Sequence, residues 1–178
     1  AARVLGAAEW GIFSYAISLV TLLTVFTDLG VSPVLIKEAA KLRESPEERS
    51  ALLSASFALK SVFLLLGVLA VFAITPFLGL EETVKTILPI AIAILIFDTM
   101  REFGFSLVRA LEKMEWEAGL YLATNIAIVG FGFFFLWLSK TVASFAYAYA
   151  IGTGLGMIAT SFALRKYLSG IFSKFSFK

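Results

Sequence analysis

Five long stretches of this sequence are apolar and almost free of charge, and they constrain the fold more than any other feature. The stretches cover residues 11–36, 61–80, 86–97, 118–139 and 141–164. The third stretch is followed directly by charged residues, beginning with Asp98. A helix needs about 20 apolar residues to cross a bilayer, whereas the strands of a membrane barrel alternate apolar and polar residues. With 60% hydrophobic and 16% charged residues, the chain is predicted to be an all-α, polytopic membrane helix bundle with five transmembrane helices.

The links between these stretches contain signals for helix boundaries. Ser45 and Pro46, followed by Glu48, form a capping sequence that predicts a helix start at Pro46. Only Ser139 and Lys140 separate the last two stretches, so the fourth and fifth helices are predicted to be antiparallel neighbours.

The distribution of basic residues predicts the orientation in the membrane. Arg3, Lys85 and Lys140 fall on one side of the predicted bundle, and all the other Lys and Arg residues fall on the opposite side. Because cytoplasmic loops are enriched in Lys and Arg, we expect a multi-pass protein of the cytoplasmic membrane with a cytoplasmic C-terminal tail. The first helix then enters from outside, which suggests that one further helix precedes it in a longer protein.

Several chemistries are excluded by residue types that are missing. The sequence has no Cys and no His, which excludes disulfides, thiol nucleophiles, Cys/His metal sites and His-based acid–base catalysis. It contains no nucleophile elbow and no phosphate-binding loop of the Walker type. We therefore predict no enzyme activity, no cofactor and no metal site. A net charge of +2 gives no reason to expect a nucleic-acid partner.

The charged residues within the spans are the candidate functional residues, because a charge at the bilayer centre costs about 2.5–3.5 kcal/mol on insertion scales. Asp28 lies in the first span. Beyond the third apolar stretch, a three- or four-residue spacing separates Asp98, Arg101, Phe105 and Arg109 from one another. This spacing places the four side chains on one face of a helix. That face is expected to point into the bundle or a water-filled cavity. The simpler alternative is an Asp98–Arg101 ion pair that only tethers helices.

Other polar and small residues have a functional and a structural interpretation. Lys60 begins the second apolar run and either faces a cavity or extends to the membrane surface. Asn125 either bonds across helices or contacts a substrate. Gly152 and Gly156 belong to a small-residue face that predicts close helix packing. The mixed charges of residues 112–117 predict a short amphipathic helix at the membrane surface.

Two segments of the chain resemble a known family. The residues from Arg3 to Phe13 fit the pattern R-x-L-G followed by G-x-[FY], and Asp28-Leu29-Gly30 fits the D-x-G that follows one helix later. Both resemble the start of the polysaccharide-biosynthesis (Wzx-type) oligosaccharide flippases of the multidrug/oligosaccharidyl-lipid/polysaccharide exporter superfamily. Residues 107–114 are similar to the link between the fourth and fifth helices of that family. The likeness in helix order and spacing extends over the whole chain.

The resemblance implies a transporter of 12–14 helices in two lobes, which moves a lipid-linked oligosaccharide across the membrane by alternating access. Residues 1–178 then form a single transmembrane bundle, helices two to six of the N-terminal lobe, whose partners are the bilayer, the lipid-linked glycan and the remainder of the transporter. The resemblance also implies a cationic cavity for a pyrophosphate-linked sugar. Its candidate residues are Arg101, Arg109 and Lys60, with Asn125 as a further contact and with Asp28 and Asp98 holding the cations apart or binding protons or sodium.

Four other functions remain open at the level of sequence. A cation-coupled multidrug exporter and a lipid II flippase belong to the same superfamily. A membrane-embedded transferase needs an acidic metal motif or a loop histidine, which the links lack. A non-transporting membrane scaffold is disfavoured by the polar face around Asp98 and Arg101.

Overall fold

A computed structural model of the chain describes residues 2–42, 45–77 and 82–165. Over these residues the chain forms α-helices, one short 3₁₀ turn at Thr75–Phe77 and no strand. The helices are α1 (Ala2–Leu5), α2 (Ala7–Asp28), α3 (Val31–Lys41), α4 (Pro46–Ile74), α5 (Glu82–Ala110), α6 (Met114–Leu138) and α7 (Val142–Ala163). Within the described part of the chain, α2, α4 with the turn that follows it, α5, α6 and α7 are long and apolar enough to cross a membrane. The predicted all-α bundle with five spans is confirmed.

The long helices run alternately up and down. The N-terminal halves of α2, α5 and α7 meet in one hydrophobic cluster, through residues such as Phe13, Ile90 and Ala146. Leu64, in the second half of α4, joins the same cluster, whereas Leu53 near the start of α4 packs at the other end of the bundle. Thus α2, α5 and α7 are parallel, and α4 runs against them. Helix α5 contacts α2, α3 and α7 and lies at the centre of the bundle.

The first predicted span is wrong in one respect, because residues 11–36 do not form a single helix. Leu29 and Gly30 both have left-handed backbone angles, with φ of 31° and 85°, and α2 ends just before them. A left-handed pair cannot continue a right-handed helix. After the break, α3 packs through Leu35 and Ala39 against the second half of α5.

The link between α5 and α6 is a tight turn, so the short surface helix predicted for residues 112–117 is wrong. The backbone N–H of Lys113 bonds the Val108 carbonyl over 3.1 Å, and that of Glu112 bonds the Arg109 carbonyl over 3.0 Å. Together with the positive φ of 55° at Glu112, these bonds form a Schellman motif, which usually has glycine at the left-handed position. The turn ends α5 and lets α6 begin at once.

Helices α6 and α7 approach closely along the small residues of α7. A Cβ atom added at Gly152 would lie 2.8 Å from Cα and 2.9 Å from N of Ile128 in α6, and one added at Gly156 would meet Thr124. Only glycine permits this backbone approach. In α6, Asn125 donates from Nδ2 to the Tyr121 carbonyl of its own helix over 2.8 Å, so this bond does not cross to another helix.

Helix α4 begins at Pro46 as predicted. The Ser45 side chain, however, makes no capping hydrogen bond within the described residues. The predicted end of the second span, at residues 78–80, and the C-terminal tail, residues 166–178, lie outside the described residues.

Candidate functional site

An open cavity of about 640 Å³ lies between α2 and α5. Its walls include Thr21, Thr24 and Asp28 from α2, and Tyr149 from α7. The break between α2 and α3 forms part of the rim through Leu29, Gly30 and Pro33. From α5 come three charged residues, which are Asp98, Arg101 and Glu102. This cavity brings together ionised and polar side chains in the middle of an otherwise apolar bundle.

Asp98 and Arg101 form an ion pair on the cavity wall. Nη2 of Arg101 lies 2.7 Å from Oδ1 of Asp98, and the two side chains are 15% and 24% exposed, respectively. The Arg101 guanidinium also lies over the Phe105 ring, 5.6 Å from its centre. The predicted shared face is therefore real, but the pair lies within α5 and does not tether two helices.

This ion pair leaves hydrogen-bonding capacity unused. Among the described residues, Nε of Arg101 has no hydrogen-bond partner, although the atom is buried, and Oδ1 of Asp98 meets Nη2 of Arg101 as a charged contact that lacks hydrogen-bond geometry. A buried donor without an acceptor costs about 1–3 kcal/mol. Since Nε is buried, a ligand in the cavity would meet other atoms of the Arg101 side chain.

Lys60 is almost completely buried, and it holds the break between α2 and α3. Only 2% of its side chain is exposed, and its ammonium lies 2.9 Å from Oδ1 of Asp28 and 3.0 Å from Oγ of Ser32. Ser32 also donates to Oδ1 of Asp28 over 2.5 Å. The alternative in which Lys60 extends to the membrane surface is therefore wrong. A buried charge requires a partner, and the Lys60 ammonium on α4 finds its partners in Asp28 and Ser32. It thereby joins the last residue of α2 to the first turn of α3.

Arg109 is engaged by two carboxylates near the α5–α6 turn. Its Nε and Nη2 atoms donate to the carboxylate of Glu117 in α6 at distances between 2.6 and 3.0 Å. Its Nη1 atom donates to Oε1 of Glu102 over 2.8 Å. Such two-point pairing is the strongest geometry available to a guanidinium and a carboxylate. Arg109 thus joins α5 to α6 instead of lining the cavity.

The structure separates the residues that the sequence grouped as substrate contacts. Of Arg101, Arg109, Lys60 and Asn125, only Arg101 is among the residues described as lining the cavity. Both predicted acidic residues, Asp28 and Asp98, line it as well.

Sequence reasoning missed four residues of this region. Glu102 and Tyr149 line the cavity, Ser32 shares the Lys60 ammonium, and Glu117 binds Arg109. Glu102 was detectable, because it lies seven residues before Arg109 and therefore two turns away on the same helix face. The other three depend on contacts between different helices, which sequence spacing does not reveal. Within the described chain, no group of three or more Asp and Glu is arranged to hold a metal ion.

The chain matches a known protein family. The model of the family described as "Polysaccharide biosynthesis protein" matches the chain over residues 1–178. No curated protein and no solved structure matches it significantly.

Proposed function

Since the chain belongs to the polysaccharide biosynthesis protein family, we propose that it is part of a flippase. The flippase moves lipid-linked oligosaccharide precursors across the cytoplasmic membrane by alternating access. The family and the spans within the described residues support a multi-pass membrane protein related to transport. The substrate, the direction of transport and the specific membrane are part of the proposal.

In this proposal the chain supplies helices two to six of an N-terminal lobe, and the cavity between α2 and α5 faces a second lobe. The end of the bundle at which α5 ends and α6 begins faces the cytoplasm. Lys37, Arg49 and Lys113 are exposed or half-buried near this end, and basic residues are enriched on the cytoplasmic side of membrane proteins.

The observation that carries the proposal is Arg101 on the cavity wall. Its side chain lines the cavity, is only 15% exposed, and is held in place by Asp98 and Phe105. Guanidinium groups bind phosphate oxygens through several parallel donors. Arg101 is therefore the residue that contacts the phosphate groups of the lipid-linked substrate. Lys60 and Arg109 are positioning residues, because neither is among the residues described as lining the cavity and each joins one helix to another.

The test is a glycan-export assay with the full-length protein in cells that lack it. Arg101→Gln is expected to reduce export at least about tenfold, because removing a charged partner from a bound ligand costs more than about 1.4 kcal/mol. Arg101→Lys, which keeps the charge but loses the planar donors, is expected to be intermediate. Membrane-inserted protein is measured in parallel, so that loss of protein is not mistaken for loss of transport.

A double variant separates the substrate contact from the ion pair. In Asp98→Asn with Arg101→Gln the pair is neutral and no carboxylate is left unpaired, so the bundle is expected to remain folded while export stays low. Normal export by this double variant would show that Arg101 does not bind the substrate.

A second candidate function is cation-coupled export of organic cations. The observation that favours it is the lining of the cavity, where Asp28, Asp98 and Glu102 outnumber the single cation Arg101 among the described residues. Carboxylates inside a membrane commonly bind protons or alkali cations. If the full-length protein lowers the cellular accumulation of a cationic dye, and Asp98→Asn abolishes that effect while glycan export is absent, this function replaces the first.

A further inference from the structure

A second cavity, of about 250 Å³, lies between α2, α4 and α5 and is lined almost entirely by apolar side chains. Apart from Thr75, the residues described as lining it are all Ala, Val, Leu, Ile or Phe. The Thr75 hydroxyl donates to the Val71 carbonyl over 2.6 Å, so the lining offers no unused donor to an occupant. Each of the three helices contributes one small side chain to the walls, and these are Ala16, Ala70 and Ala91.

Helix α2 separates this apolar cavity from the cavity that holds Arg101. Leu19 and Leu23 line the apolar cavity, whereas Thr21 and Thr24 line the other one. With 3.6 residues per turn, these two pairs lie on opposite sides of α2. An occupant of the apolar cavity therefore packs behind the α2 wall of the candidate site.

The apolar cavity opens toward the surface that faces the lipid. Leu22 and Phe26 line it and are 57% and 56% exposed, so they border its opening. Leu69 and Phe72, next to its α4 wall, are also exposed. Since α2 and α4 are long and apolar enough to span a membrane, the medium around these exposed side chains is the hydrocarbon of the bilayer. The cavity is thus continuous with the lipid-facing surface.

Neither water nor a further helix fits this cavity. Cavities lined by Leu, Ile and Phe stay dry, because a buried water needs two to four polar partners. A helix about 10 Å across, laid along the stretch of about 15 Å from Ala16 to Phe26, would occupy about 1,200 Å³. That is several times the volume present. An empty cavity, in turn, costs stability in proportion to its volume. A single hydrocarbon chain is narrow, needs no polar partner and is supplied by the bilayer.

We propose that this cavity binds one acyl chain of a membrane phospholipid. The chain enters from the leaflet in which α4 ends and α5 begins. Leu88, on the cavity wall, lies about 9 Å along α5 from Glu82, within the roughly 15 Å of hydrocarbon in one leaflet. The transported lipid is not the occupant, because a lipid whose phosphate contacted Arg101 would have to carry its chain around α2. The proposal requires only that the chain spans a membrane, and it is independent of the proposed transport activity.

Native mass spectrometry of the full-length protein, purified from membranes in a mild detergent, tests the proposal by counting and weighing the lipids that stay bound. The unsubstituted protein is expected to retain one phospholipid more than Ala70→Phe, because the new ring fills the cavity. Ala73→Phe is the matched control, since Ala73 is exposed on the same helix and is not among the residues described as lining the cavity. This control is expected to retain as many phospholipids as the unsubstituted protein.

A second variant fills the cavity from the opposite wall. Leu19→Phe adds its ring from α2 instead of α4 and is expected to lose the same phospholipid. The thermal unfolding midpoint of each variant is measured in parallel, so that loss of the lipid is read only from variants that remain folded.

Three outcomes would overturn the proposal. The first is an unsubstituted protein that retains no phospholipid. The second is equal retention by the unsubstituted protein and by a folded Ala70→Phe or Leu19→Phe variant. The third is a lost molecule whose mass is that of an isoprenoid-linked glycan, which would make the cavity a site for the tail of the transported lipid.

Discussion

Two halves of the bundle differ in how their helices are held together. In the aromatic half, defined by the cluster around Phe13, Ile90 and Ala146, the contacts are apolar, with Phe13 and Phe145 packed edge to face at 4.8 Å. In the ionic half, defined by the cluster around Leu107 and Leu164, the nearby connections are ion pairs. These pairs are Lys60–Asp28, Arg101–Asp98, Arg109–Glu102 and Arg109–Glu117.

The two non-glycine residues with a positive φ among the described residues both lie in the ionic half. The left-handed pair Leu29–Gly30 and the left-handed Glu112 both occur there, beside Asp28 and Arg109 respectively. In the aromatic half the main polar connection between helices is the bond from the Val142 N–H to Oε2 of Glu9, over 2.9 Å. Buried ion pairs contribute little net stability, because desolvation offsets their attraction. Their concentration in this half therefore does not by itself make it the more stable one.

The largest expected effect in this comparison comes from the ionic half. Lys60→Met leaves the Asp28 carboxylate without its ammonium and is expected to lower the free energy of unfolding by about 3 kcal/mol, near the lower end for a broken buried pair. The lower end applies because Asp28 is 29% exposed toward the cavity. Unfolding of the full-length protein in mixed micelles measures the difference.

A double variant shows whether charge is the cause. Lys60→Met combined with Asp28→Asn removes the uncompensated charge and is expected to recover more than half of the lost stability. If the double variant is as unstable as the single one, the buried volume of Lys60 matters instead of its charge.

An intermediate effect is expected midway along α7, where packing and not charge decides stability. Gly152→Ala places a methyl group 2.8 Å from the Ile128 backbone and is expected to cost about 2 kcal/mol, as for other overpacked interfaces. Gly130→Ala in α6 is the matched control, because a Cβ there meets nothing within 4 Å. That control is expected to be neutral or slightly stabilising, since alanine is the better helix former. Equal effects of the two substitutions would contradict the close approach of α6 and α7.

The smallest expected effect comes from the aromatic half. Glu9→Ala removes the acceptor at the start of α7 and is expected to cost about 1 kcal/mol, the usual size for a lost cap. Glu82→Ala serves as control, because Glu82 is 88% exposed and pairs only with the neighbouring Lys85 among the described residues. The control is expected to change stability by less than about 0.5 kcal/mol. A loss at Glu9 as large as that at Lys60 would remove the distinction between the two halves.

Much of the fold was predictable, because it depends on short segments of sequence. The apolar runs predicted the five spans, and Pro46 predicted the start of α4. The spacing of Asp98, Arg101 and Phe105 predicted their shared face, since three- and four-residue spacing places side chains together on any helix. The break at Leu29–Gly30 escaped prediction, because a run of apolar residues looks the same whether its backbone is continuous or interrupted.

The candidate site was predictable only in part. Asp28, Asp98 and Arg101 were identified because charges are rare within membrane spans. The separation of Lys60 and Arg109 from the cavity was not, because it depends on partners in other helices. Lys60 meets Asp28 across 32 positions of sequence, and Arg109 reaches Glu117 only because the Glu112 turn reverses the chain.

The sequence by itself determined that the chain forms apolar helices and which few charges those helices carry. Transfer into a membrane depends on each segment separately, so composition and run length are sufficient. Only the tertiary structure decided which charge neutralises which, and which cation remains on the cavity wall. Pairing within a low-dielectric interior depends on the faces that neighbouring helices turn toward one another, and those faces are set by packing across the whole bundle.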